Sequence, residues 1–186
     1  MKPPPHLSQR PAARALALCR RFVRSRHAIS AVEFALLGPI FLSLVVAMME
    51  LGLFYGNRAI VDHAVQRGAR TVRVGYVGGV RTTKPAFEQA LCSGLVMISC
   101  TELSYTVEAH TSFTSMNHTT ALDTDGTLAA TTFDLGGPSD TVIVTAAYTH
   151  SFVSPFGAGF LLPDGAGSTT PIIAHVVIKN EPFPLP

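Results

Sequence analysis

Residues 29–54 contain no Lys or Arg, and their acids are Glu33 and Glu50. As a helix, these 26 residues would extend about 39 Å, more than the roughly 30 Å core of a bilayer. A run of this length and composition folds as a membrane-spanning helix before any other constraint applies. Tyr55 stands at its far end, where an interfacial aromatic is expected. The apolar part of a cleaved secretory signal is shorter, about 7–15 residues. Met48, Met49, Glu50 and Leu51 also lack the small side chains of its cleavage site.

Charge is distributed unevenly around this run. Residues 1–28 carry seven Lys/Arg and no Asp or Glu, whereas residues 75–186 carry three cations and nine acids, a net −6. The positive-inside rule keeps the leader in the cytoplasm and places the acidic body across the membrane. Nucleic-acid binding needs a basic folded face, and the basic part here is the short leader, so nucleic acid is not the expected partner.

Two features sit within the span. Gly38 and Pro39 interrupt it, and the missing N–H of Pro39 predicts a kink or local loosening. Glu33 lies on the second helical turn. One reading brings its carboxylate to the cytoplasmic interface; the other pairs it with a cation of a neighbouring subunit, as intramembrane acids usually are. Glu50 lies near the outer boundary, where it can be wetted, and needs no special role on this reading.

Beyond the membrane, residues 57–74 continue as a helix. Ile60, Val61, Ala64, Val65, Gly68, Ala69 and Val72 recur at helical spacing and predict a stripe packed on the chain's own domain. The alternative places neighbouring subunits on that stripe. The Gly-rich residues 75–79 end the helix. Residues 84–97 read as a second helix with Pro85 in its first turn. Residues 101–111 alternate as a half-buried strand, with Leu103, Tyr105, Val107 and Ala109 on one side. Residues 112–139 read as a mobile polar excursion, and residues 141–152 and 171–178 as two further strands. Between these strands, residues 156–162 form an apolar patch, a candidate contact surface or a cover for the domain's own core.

Cys92 and Cys100 lie in the segment placed outside the membrane, where an oxidising compartment favours a disulfide; two buried free thiols are the alternative. Cys19 is in the leader and should be a free thiol. His110, His118, Asp123 and Asp125 could meet around a metal, but they fit no usual ligand pattern, and no metal or other cofactor is expected. Asn117-His118-Thr119 fits a glycosylation sequon. No phosphate-binding loop, nucleophile elbow or dinucleotide fingerprint occurs, so no catalytic residue and no enzyme is expected.

The run Arg26-His27-Ala28-Ile29-Ser30-Ala31-Val32-Glu33-Phe34-Ala35-Leu36-Leu37-Gly38-Pro39 resembles the processing region of type IV prepilins, and more specifically that of TadE-like pilus-assembly proteins. Glu50-Leu51-Gly52, the stretch from Asn57 to Arg70 and the terminal Ile178-Lys179-Asn180-Glu181-Pro182 are similar to that family as well. The resemblance is good over residues 20–75 and loose over 84–182. It implies cleavage by a prepilin peptidase between Ala28 and Ile29, with Glu33 fifth in the mature chain. It also implies that Glu33 aligns subunits within the membrane. Where the family usually has Gly before the cut, this chain has Ala28.

The expectation is therefore an α+β protein, with a long N-terminal transmembrane helix continuing into a small extracytoplasmic domain with an antiparallel sheet. Its parts are a basic cytoplasmic leader (1–28), the span (29–55), a periplasmic domain (56–182) and a tail (183–186). Its place is the bacterial inner membrane, and its partners are the prepilin peptidase and other pilus and pseudopilin subunits. An uncleaved bitopic assembly factor and an extracytoplasmic binding or sensing domain on an anchor are the alternatives.

Overall fold

The computed structural model describes residue 20 and residues 26–77, 80–115, 120–154 and 168–182. The architecture is α+β: a long apolar N-terminal helix followed by a small domain with a three-stranded antiparallel sheet. The chain divides into two compact units, residues 1–46 and 47–186. Helix α1 runs from Arg26 to Val74 and passes through Pro39 without interruption.

The larger unit is built on the last turns of α1. Val61, Ala64, Val65, Ala69 and Val72 are all buried, so the stripe packs on its own domain. Their partners are Phe87 and Leu91 of helix α2 (Lys84–Cys92) and side chains from all three long strands. Gly68 belongs to the stripe for a steric reason. A Cβ there would lie 2.8 Å from Cε2 of Phe87, so glycine makes the room that the ring occupies.

After α1, Gly75 turns the chain with φ +73°, a conformation that glycine adopts without strain. The Gly-rich segment then does more than end the helix. It forms a short antiparallel pair, β1 (Tyr76–Val77) with β2 (Val80–Arg81). The following helix is shorter than its apolar pattern suggests, ending at Cys92 instead of residue 97. The chain must reverse there, because Cys92 and Cys100 are joined by a disulfide across 5.5 Å between Cα atoms. Continued helix would carry it about 1.5 Å further away with each residue. Gly94 permits the reversal by lying directly on α1: a Cβ at Gly94 would stand 3.1 Å from Cα of Ala64.

Strands β3 (Leu103–His110), β4 (Thr141–Ser151) and β5 (Thr169–Lys179) form the sheet in that order. Their registers run from Leu103↔Tyr148 to His110↔Thr141, and from Thr141↔Lys179 to Ser151↔Thr169. The central strand is buried on both faces from Thr141 to Ala147. Val142, Val144 and Ala146 join the core with α1, and alternation sends Ile143, Thr145 and Ala147 to the other side.

That second face is partly covered by a segment read from sequence as a mobile excursion. Its described part is ordered. Leu128 is buried and donates its N–H to Oγ of Ser104, and Thr106 Oγ1 bonds to Thr132. Along the free edge of β3, Val107 N–H donates to Thr132 O (2.8 Å) and Asp134 N–H donates to Val107 O (2.9 Å). Phe133 meanwhile reaches the Phe87 ring on the helix side. A polar segment thus satisfies an exposed edge that would otherwise offer unpaired backbone groups.

Candidate assembly helix and the Glu50 clasp

The first candidate site is α1 itself. Over residues 30–42, every residue except Gly38 is exposed, with Phe34 at 77%. A helix that is apolar on all sides is ordinarily buried in a core or in lipid. This one is long and apolar enough to cross a membrane, and none of its most apolar window is covered by the rest of the protein. Ala28 and Ile29 both lie within the helical backbone. Glu33 is exposed and has no hydrogen-bond or ionic partner among the described residues. Cys19 and residues 1–19 lie outside the described residues, as do residues 156–162 and the sequon at Asn117.

The second site was not legible as one in the sequence. Glu50 is only 7% exposed, a correction to the wetted, role-free carboxylate expected there. Its Oε1 accepts the backbone N–H groups of Val153 (2.8 Å) and Ser154 (2.6 Å), and its Oε2 accepts the Ser154 hydroxyl. One turn further along α1, the Phe54 ring packs against His150 and Phe152, with centroids 5.6 and 5.9 Å away. Another turn on, Asn57 Nδ2 lies 3.1 Å from His150 Nδ1. The spacing 50, 54, 57 puts all three on one helical face. They meet the chain as it leaves β4, and together they clasp the strand's end to the helix. Burial pushes the His150 imidazole below its ordinary range, and the nearby Glu50 carboxylate opposes this in part. Neutral His150 can then accept an N–H from Asn57.

Three further ties fix the domain. Tyr105 donates its hydroxyl to Glu88, joining β3 to α2; burial and that carboxylate hold the phenol above its ordinary range. Asn180, 3% exposed, donates to the carbonyls of Leu135 (2.8 Å) and Gly137 (3.0 Å). Glu181 N–H donates to Arg73 O (3.0 Å), and its carboxylate lies 3.5 Å from the Arg73 guanidinium. The end of the terminal motif is thus fastened to the end of α1. Among the metal candidates, His110 lies beside Glu108 at 3.9 Å, and His118 is outside the described residues. No cluster of three or more potential metal ligands occurs among the described residues.

Residues 28–70 match the model of the TadE-like protein family. This agrees with the resemblance seen in the sequence and includes Ala28, Ile29, Glu33 and Glu50. No curated protein and no solved structure matches the chain.

Proposed function

We propose that this chain is a membrane-anchored, pilin-like component in the assembly of a tight-adherence pilus and its secretion apparatus, acting by association and not by catalysis. The observation that carries this reading is the uncovered apolar stretch of α1 with Glu33, an acid without a partner among the described residues, inside the stretch that matches the TadE-like model. The leader stays in the cytoplasm and the acidic domain lies in the periplasm. A prepilin peptidase hydrolyses the Ala28–Ile29 amide, leaving a carboxylate on Ala28 and an ammonium on Ile29. That ammonium lies about one helical turn from Glu33, so the Glu33 of one subunit can pair with the new terminus of the next. Each charge offsets the cost of placing the other in lipid.

The test is the intact mass and N-terminal sequence of the membrane-extracted protein, from cells with and without the peptidase. A start at Ile29 only where the peptidase is present supports the reading, and a full-length chain in both strains overturns the pairing. The second reading, an uncleaved bitopic assembly factor, is favoured by Ala28 standing where the family has Gly, and a full-length chain in both strains is its signature. Glu33→Gln should leave membrane insertion intact and abolish assembly, read by counting pili on cells carrying the variant. Normal piliation would remove Glu33 from the mechanism.

A further inference from the structure

The stripe that buries α1 against the sheet leaves its opposite side in solvent. Arg67 and Arg70 are exposed there, and neither has an ion-pair or hydrogen-bond partner among the described residues. Beside them the disulfide loop lies on the helix backbone at Gly94. Ile60, His63, Arg67, Gly94 and Val96 line an open, largely apolar groove of about 410 Å³. Val96 remains 63% exposed although it is apolar.

The far face of the sheet carries the complementary charge. Thr149 points away from α1 by strand alternation, and its Oγ1 donates to Asp125 O (2.9 Å). This anchors a tight turn closed by Asp123 N–H to Thr127 O (2.8 Å) and Gly126 N–H to Asp123 O (2.9 Å). Asp123, Thr124 and Asp125 are exposed at its tip. The tip is acidic and exposed, and its backbone bonds already hold it in shape, so little ordering is lost on docking.

We infer that the 123–126 turn of a second copy docks into the groove beside α1, with Asp123 and Asp125 facing Arg67 and Arg70. The groove and the tip occupy opposite faces of the same domain. Copies therefore meet front to back, and each contact leaves one groove and one tip free for the next. This heterologous arrangement builds an open row or a ring instead of a closed two-fold pair. The charges set register and choice of partner more than they set affinity. The inference rests on the assembly reading and names a second copy of this chain as the neighbour.

The test uses the full chain in detergent at low salt, followed by sedimentation, with chemical cross-linking in membranes beside it. Arg67→Glu/Arg70→Glu makes both faces acidic, and Asp123→Lys/Asp125→Lys makes both basic. Each variant alone should lose self-association at least tenfold, and an equal mixture should recover it, because the reversed faces complement one another. Val96→Asp, at an exposed position, should weaken association without disturbing the fold. The inference is overturned if the unaltered chain does not self-associate or if the variants associate as it does. A mixture that stays apart while both proteins keep their circular dichroism and disulfide overturns it too. Rescue by mixing in a chain that is never processed would fault the processing route alone. Failed rescue in a chain processed at Ile29 and dependent on Glu33 would fault this contact alone.

Discussion

Glu50→Ala removes one acceptor group that three donors share. A hydrogen bond to a charged group contributes about 1.5–3 kcal/mol, so a simple sum for the three would be large. The surroundings reduce it. Val153 is 95% exposed and Ser154 is half-buried, so water can satisfy the freed N–H groups. The net loss should be close to that of one such bond, about 2–3 kcal/mol. Glu50→Gln keeps one oxygen for the backbone donors but turns an amide toward the Ser154 hydroxyl, costing about 1–2 kcal/mol. Ser154→Ala removes a single donor and should cost about 1 kcal/mol. For a unit of residues 47–186, each kcal/mol corresponds to roughly 3–5 °C in Tm, so Glu50→Ala should melt about 6–15 °C lower. The assay is thermal unfolding of the detergent-extracted full chain, with amide exchange at Val153 and Ser154 measured in parallel. A Glu50→Ala protein within 0.5 °C of the original, or unchanged exchange at both amides, would refute the clasp.

Replacing Cys92 and Cys100 together by Ser opens a loop of sequence separation 8, for which the chain-entropy relation gives about 2.5 kcal/mol; denaturant unfolding checks it, and an unchanged midpoint contradicts it. Gly68→Ala drives a methyl to 2.8 Å from the Phe87 ring. Overpacking of about 1–3 kcal/mol should outweigh the gain of at most about 1 kcal/mol in helix propensity, and a stabilised variant would count against the packing described. His150 is held neutral below its unfolded value of about 6.5, so the unfolded chain takes up the proton first as pH falls. Stability is therefore full above that value and is lost as pH drops from it toward the folded value. His150→Gln should flatten the dependence of Tm on pH between about 7 and 5, and an unaltered slope would assign it to other groups.

The elements with strong periodicity could be read from sequence alone. The apolar run gave α1, the stripe from Val61 to Val72 gave its buried face, and β-branched residues gave β4 and β5 to within two residues at each end. What failed to register depends on contacts distant along the chain. Glu50 at the end of an apolar run looks like any interfacial acid, because its partners lie over a hundred residues later at Val153 and Ser154. The spacing of Glu50, Phe54 and Asn57 was a usable signal, since it continues the buried face of Val61 and Val65 toward the apolar run with two polar residues in it. Leu95, Val96 and Met97 extend the pattern of α2, yet the disulfide reverses the chain before them. Residues 120–134 carry no periodicity, and their place on the sheet comes from single hydrogen bonds such as Leu128 to Ser104.

The order of the strands also bears on how the molecule is made. β5 is last of the three in sequence, yet it supplies one whole flank of β4 and, through Ile172 and Ala174, part of the floor beneath α1. Asn180 and Glu181, later still, fasten the loop at Leu135 and the end of α1. Until those residues emerge, β4 exposes a run of backbone groups eleven residues long to any strand nearby. Many copies crowded in one membrane would place such strands close together. A nascent chain of this kind would therefore need shielding during synthesis, and its vulnerability ends only with the final dozen residues of the domain.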